Sequence, residues 1–412
     1  MAVALEAREV VGTDTEVVRS RLVYRNMHDP AMLKYYYKMR TINLVDKEEI
    51  AGSAPPDLFI GSFGYPKVFI GPMLPPVFGN TTIFSMPEMW GGLDIPKIVE
   101  YRSLLVRGMH KADVHNVEQG RVEEVVRDFA LAGTNADAEM IFSRRPNLRV
   151  AFDENSQPFG PSAPLKEVDV GNIPANRDME SAYSDTDMNA TEASVELYQK
   201  GVPVSRIQRA LSAGVLGVGR RRKFVPTRWS ITAVDDALSK ANLEEVKTYN
   251  TIDSLMVYEG TALDHRWLIL MFPGSWTYES IEAWHPNTSW NTDSKKIAIY
   301  GSHEFFKGRS TYAEIGGCYY AARLAVSELF KRIKKQATVV ILREVHSGYI
   351  MPVGVWNVRE HVREVLGTQP LRFHDIHEVM EHVKAKMDIH PNSWIQNSRI
   401  LRELLLQRRL FS

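Results

Sequence analysis

A single cysteine, Cys318, stands in a chain of 412 residues. It rules out an intramolecular disulfide and any multi-cysteine zinc site, and a cytoplasmic, reducing setting is expected. No stretch approaches the roughly 18 uninterrupted apolar residues of a transmembrane helix. Glu6, Arg8 and Glu9 interrupt the apolar residues of the first dozen positions, a pattern unlike a secretory signal. Net charge is missing too: 50 Lys and Arg balance 50 Asp and Glu, which argues against a uniformly basic protein that coats nucleic acid. Internal repeats and low-complexity tracts are also lacking. What is present, 44% hydrophobic and 24% charged residues, is the composition of a folded globular protein.

The charge balance hides an asymmetry. Residues 321–412 hold 15 basic and 9 acidic residues, and six of the 12 histidines. Early in the chain an aromatic-basic run occurs at Lys34-Tyr35-Tyr36-Tyr37-Lys38. Between Ala54 and Gly92 proline and glycine are frequent. The apolar pieces Asp57–Gly61 and Lys67–Gly71 read as short strands, with Pro72, Pro75 and Pro76 ending regular structure. Helical spacing predicts helices over Pro96–His110 and Val122–Leu131. Residues 144–190 lack periodicity and read as a long functional loop or a connection between lobes. Helices are expected at Ala190–Lys200 and Pro203–Ala213, ended by Gly201 and Gly214. Strands are expected at Ser254–Tyr258, Arg266–Phe272, Lys296–Tyr300 and Ala337–Leu342. Further helices are expected at Tyr320–Lys335, Val355–Leu366, His374–Lys386 and Asn392–Arg408. The order describes an α/β or α+β protein: a mixed sheet core with surrounding helices and a C-terminal helical segment.

The strongest local feature is Gly214-Val215-Leu216-Gly217-Val218-Gly219-Arg220-Arg221-Arg222-Lys223, followed by Arg228. Glycines let a ligand approach the backbone, and Arg220, Arg221, Arg222, Lys223 and Arg228 suit phosphate neutralisation. The run is neither a P-loop nor a dinucleotide fingerprint, because its glycines end a helix rather than open one. The bland alternative is a helix cap with a solvated basic turn.

A second cluster offers His303, Glu304, Arg309 and Glu314, with Arg343 just past a strand. An imidazole, carboxylates and arginines in a glycine-bracketed loop are enough for acid–base or anion chemistry, and also for ordinary loop ion pairs. His377 and Glu381 share a helix face, but the second histidine of a His-Glu-x-x-His motif is absent. Asp185, Asp187, Asp235 and Asp236 read as capping residues, and Cys318 as core. Of the aromatics between residues 276 and 320, Trp290 is expected to be exposed.

The terminal Gln407-Arg408-Arg409-Leu410-Phe411-Ser412 puts bulky apolar groups at a chain end, a composition suited to docking in a partner's pocket. Gln407, Leu410 and Phe411 resemble the motif that binds the replication sliding clamp (PCNA), although only one aromatic is present. Across the chain, Asp57-Leu58-Phe59-Ile60-Gly61-Ser62-Phe63-Gly64-Tyr65-Pro66-Lys67-Val68, Tyr101-Arg102-Ser103-Leu104-Leu105-Val106-Arg107-Gly108 and Gly160-Pro161-Ser162-Ala163-Pro164-Leu165 resemble the archaeal Nre family of DNA-repair proteins. So do Arg222–Asp236, Gly316–Arg323 and Gly354–Glu360.

The resemblance implies an N-terminal segment at 1–56, a core at 57–400 with two lobes joined near 144–190 as one option, and a clamp-binding tail at 401–412. It implies a role in DNA repair, with DNA or a nucleotide-like ligand and the clamp as partners, and no membrane. Many members carry an N-terminal cysteine cluster that looks zinc-binding; residues 20–50 contain no cysteine here, so no cofactor is expected and zinc is not. The competing reading is an enzyme acting on a nucleotide or phosphorylated substrate through His303, Glu304, Arg309, Glu314 and Arg343. A structural adaptor is the third.

Overall fold

The structure is a computed structural model that describes residues 43–147, 156–286, 288, 290–291 and 295–411, with side chains as far as Leu405. The run Lys34–Lys38 lies outside the described residues. The chain divides into two compact units, Met1–Ala237 and Leu238–Ser412, each built on one six-stranded sheet.

In the first unit the elements run β1 (Glu49–Ala54), β2 (Leu58–Ile60), β3 (Lys67–Leu74), α1 (Ile95–Leu104), β4 (Val106–Asp113), α2 (Arg121–Leu131), β5 (Ala136–Phe142), β6 (Ser162–Val170), α3 (Arg177–Ser184), α4 (Ala190–Gln199), α5 (Val204–Ser212) and the start of α6 (Thr227–Val246). The strand order is β1-β5-β6-β4-β3-β2. Only β4 and β6 pair in parallel; the other neighbours are antiparallel. Strand β5 alternates, turning Ala136, Ala138, Met140 and Phe142 inward, where Val125 and Phe129 of α2 meet them. The period-two strand and period-3.6 helix thus present one apolar face each.

Four sequence expectations change here. The helix from Pro96 stops at Leu104, and Val106–Asp113 is strand. Apolar spacing continued to Met109, but this segment lies close against β3: a Cβ on Gly71 would stand 1.8 Å from the Gly108 carbonyl oxygen, so glycine is required at 71. Strand β3 also runs through Pro72 to Leu74, with Pro72 opposite Leu58 of the short edge strand β2, where a missing N–H is tolerated. Residues 144–190 carry β6 and α3. Asp235 and Asp236 lie inside α6 rather than before a helix, and Asp235 accepts from Gln208 Nε2 at 3.0 Å.

The second unit holds the rest of α6, then β7 (Leu255–Ala262), β8 (His265–Phe272), β9 (Thr277–Trp284), β10 (Ala298–Glu304), α7 (Gly317–Ile333), β11 (Thr338–Val345), α8 (Trp356–Leu366), β12 (Leu371–Phe373), α9 (Ile376–Lys386), α10 (Pro391–Asn397) and α11 (Arg399–Phe411). Strand order is β10-β9-β11-β8-β7-β12, with β9 and β11 parallel. One sheet face buries Leu268, Leu270, Ile281, Val340 and Leu342 against Val379, Val383, Trp394, Ile400 and Leu401 of the C-terminal helices.

The single terminal helix expected over Asn392–Arg408 is two helices broken at Ser398. Buried Glu279 makes the break: it accepts from Ser398 Oγ and from the backbone N–H groups of Arg399 at 2.8 Å and Ile400 at 3.0 Å. A carboxylate at these unsatisfied donors also complements the dipole of α11. The mixed sheets, surrounding helices and helical C-terminus are the architecture the sequence described.

Candidate nucleic-acid interface

The residues of the first unit's motifs meet around Asp57. The Asp57 carboxylate takes Arg102 Nη1 on Oδ2 and Arg209 Nε on Oδ1, each at 2.7 Å. Arg102, from α1, also donates to the carbonyls of Pro158 and Phe84. Arg209, from α5, donates to the carbonyl of Ser85. One turn earlier on α5, Arg206 donates to the Ala132 carbonyl, and burial followed by the charge of Arg209 lowers its pKa to about 10.

Arg107, on β4, lies over the rings of Phe59 and Phe159 at 4.6 and 4.8 Å. Burial, with Arg102 nearby, lowers its pKa to about 10, and its buried Nε meets no partner. Four guanidiniums therefore gather where Asp57 is the one carboxylate, among the described residues, that pairs with any of them. The lowered values of Arg107 and Arg206 still lie well above neutral pH, and buried positive charge in excess calls for an anion.

Hydrogen bonds tie this cluster to a surface. The Ile60 N–H at the end of β2 donates to Thr227 Oγ1 at the start of α6. The loop after β2 is thereby held beside the first turn of α6. It presents Phe63, 89% exposed, and Tyr65, 45% exposed, whose ring stands 5.5 Å from that of Trp229, 48% exposed. Arg228 precedes Trp229 and is exposed.

The basic run divides by function. Arg220, Arg221 and Lys223 face solvent, whereas Arg222 is buried. Arg222 donates to the carbonyls of Gly217, Tyr183 and Asp185 and lies 4.6 Å over the Tyr183 ring. Its guanidinium holds the turn that displays its neighbours. Gly214 and Gly217 have φ of 69° and 101°, conformations that favour glycine. Asp185 caps a turn through the N–H groups of Asp187 and Met188, which hold its carboxyl below the usual range.

The five residues of the second cluster lie in three places. Arg309 donates to the Glu314 carboxylate at 2.9 Å and to the His303 carbonyl at 2.8 Å, so these three meet at the surface. Ser302 and then Arg309 hold the Glu314 carboxyl low. Glu304 points to the other side of β10. There it is buried, accepting from Arg323 Nη1 at 2.7 Å and Trp276 Nε1 at 2.9 Å. Arg343, on β11, donates to Glu282 at 2.7 Å and lies over Trp267 and Trp284.

Burial, then Arg343, pushes the His265 pKa well down. The neutral ring is fixed as the Nδ1–H tautomer, donating to the Ala262 carbonyl while Nε2 accepts from Arg343. Burial and Glu282 raise the Cys318 thiol far above neutrality, which fits the core role expected for it. Among the other aromatics, Trp290 is 42% exposed, as expected from its polar surroundings. His377 and Glu381 both face solvent on α9. The side chains of Gln407, Leu410 and Phe411 lie outside the described residues; α11 continues through Phe411.

Sequence reading did not single out Asp57, Arg102, Arg107, Arg206 and Arg209 as a site. Three of them stood in the motifs quoted above, but their partners lie 45 to 152 positions away.

Fold and site together define a two-unit mixed α/β protein with an arginine-rich interior and an aromatic-cationic surface in its first unit. The chain belongs to the archaeal Nre family: residues 27–291 match its N-terminal region and residues 304–412 its C-terminal region. It is 41% identical over 357 residues to DNA repair protein NreB of Archaeoglobus fulgidus, covering 86% of this chain and 90% of that protein. DNA repair protein NreA of the same organism is 29% identical, over 87% of this chain and 90% of the relative. DNA repair protein NreA of Haloferax volcanii is 31% identical, over 77% and 78%. No solved structure matches the chain.

Proposed function

We propose that this chain is a DNA-repair factor that binds DNA with unstacked or single-stranded bases through its first unit and is recruited to the replication sliding clamp (PCNA) by its tail. The observation that carries the reading is the exposed Tyr65–Trp229 ring pair at the start of α6, beside Arg228 and following the exposed cations Arg220, Arg221 and Lys223 in the sequence. Exposed rings interleaved with cations suit single strands: bases stack on the rings while the cations take phosphates. The unbalanced guanidiniums beneath favour anions at the same unit, and three relatives bear DNA-repair names. In the tail, Gln407 takes the polar pocket of the clamp and Leu410 with Phe411 the apolar one.

Fluorescence anisotropy with a short labelled single strand tests the first half. Tyr65→Ala and Trp229→Ala should each weaken binding by about 1–3 kcal/mol, the worth of one stacked base. Unchanged affinity in both folded variants removes this surface from the reading. Deleting Gln407–Ser412 should abolish co-elution with the clamp while leaving the melting curve in place. Persistent co-elution refutes the tail assignment.

A further inference from the structure

Four metal-capable side chains of the second unit come from three separate places in its sequence. His285 follows the last residue of β9. Glu344 is the penultimate residue of β11, and His346 follows that strand; Asp388 lies between α9 and α10. Parallel pairing of β9 with β11 sets Trp284 opposite Val345, and the His285 N–H donates to the Val345 carbonyl at 3.0 Å. Both imidazoles therefore leave the carboxyl ends of adjacent parallel strands, an edge where ligands commonly bind. Their rings lie 4.4 Å apart and 25° from parallel.

Each of the four residues offers one donor atom, and these atoms all lie within 4.8 Å of one another. Two further observations point to a missing cation. The Nε2 atom of His285 is buried and has no hydrogen-bond partner. The Glu344 side chain is 0% exposed, and its strongest contacts are neutral backbone N–H groups, from Ile389 at 2.8 Å and Asp388 at 3.1 Å. Arg266 reaches Glu344 only at 4.0 Å while pairing with Asp388. His346 Nε2 stands 3.6 Å from Glu344 and 3.2 Å from Asp388.

We infer that His285, Glu344, His346 and Asp388 form a binding site for a first-row divalent transition-metal ion of the zinc class. Two imidazoles and two carboxylates are a borderline-soft donor set that selects such ions over magnesium and calcium, which favour oxygen alone. Metal bonds of ~2.0–2.2 Å place tetrahedral neighbours roughly 3.4 Å apart, so binding draws the donors inward by about 1 Å. Asp388 is half exposed and Arg266 is 40% exposed. Both can shift outward or inward without disturbing the core, and the solvent side of Asp388 is the entry path. The backbone N–H groups that hold Glu344 orient it as an outer shell does in built sites. This site is independent of the family's N-terminal cysteine cluster and of the DNA-binding reading.

The test uses the full chain, stripped with a chelator, desalted, and titrated with Zn2+, Co2+ and Mg2+ by calorimetry, with the visible spectrum of Co2+ reporting its ligand set. We expect one equivalent of Zn2+ or Co2+ and no comparable binding of Mg2+. His285→Gln combined with His346→Gln should abolish it, and Asp388→Asn should weaken it by at least about tenfold. Circular dichroism checks that each variant is folded; should the double variant fail to fold, His346→Gln alone and Asp388→Asn, at a partly exposed and an exposed position, carry the comparison. The inference is overturned if the folded wild type binds neither ion, if Mg2+ binds equally well, or if the folded variants bind as the wild type does.

Discussion

Replacing Asp57 by asparagine removes one negative charge and leaves the side chain's shape nearly intact. That carboxylate is 3% exposed and serves Arg102 and Arg209 with separate oxygens, each at 2.7 Å, while Oδ1 also accepts the Leu58 N–H at 3.0 Å. Burial already lowers the pKa of Arg102, and Asp57 is the influence that opposes it. In Asp57→Asn both guanidiniums stay buried, with their carbonyl acceptors but without a counter-charge. Breaking a buried pair from one side costs about 3–5 kcal/mol. For a unit of this size each kcal/mol corresponds to roughly 2–4 °C, so the melting transition should fall by about 10 °C. Because the deficit is a missing anion, inorganic phosphate should recover more of the transition in Asp57→Asn than in the wild type. A fall of under ~3 °C, below about 1 kcal/mol, or an equal response of both proteins to phosphate, refutes the account of the arginine cluster.

Other consequences follow from single groups. His361 is buried, and burial followed by Arg343 lowers its pKa to about 4. The unfolded imidazole binds a proton that the folded one refuses, so stability present above about pH 6.5 should be lost as pH falls toward 4. The loss amounts to about 3 kcal/mol from this group; His361→Gln should flatten that part of a urea-midpoint series, and an unaltered slope contradicts it. Arg222→Ala should lower the melting temperature, because it unties three carbonyls, whereas Arg220→Ala should not; equal melting of the two contradicts the division of the basic run. Glu279→Gln should destabilise α11 by about 1–2 kcal/mol, read as faster hydrogen exchange at the Arg399 and Ile400 amides, and unchanged exchange contradicts its capping role.

Much of this architecture was legible in local pattern. Helix α2 declared itself through Val122, Val125, Val126 and Phe129, and α4 and α5 through the glycines that end them. Strands β8 and β11 were visible as apolar runs, β11 also β-branched, because both their faces are buried. What escaped the sequence depended on distant partners. Helix α1 gives way to β4 because β3 and β6 flank that segment, a long-range pairing that outweighs helical spacing. Strand β9 was hidden because it carries Glu279 and Glu282, buried on opposite faces, which read as polar until Ser398 and Arg343 are seen to meet them.

The site follows the same rule. The exposed basic run was readable because its cations are adjacent, but nothing local separates buried Arg222 from exposed Arg221. Asp57 and its arginines could not be assembled from spacing, since each partner arrives on a different element. His285, Glu344, His346 and Asp388 likewise lie up to 103 positions apart and follow no metal-ligand spacing.

The most direct test of the DNA-binding claim is the salt dependence of single-strand affinity for the wild type and for Arg220→Ala/Arg221→Ala. Each phosphate released should reduce the slope of log affinity against log salt by about 0.7, so the double variant should be shallower by roughly 1.4 if both cations take phosphates. Parallel lines for the two folded proteins would contradict the assignment of this surface to DNA.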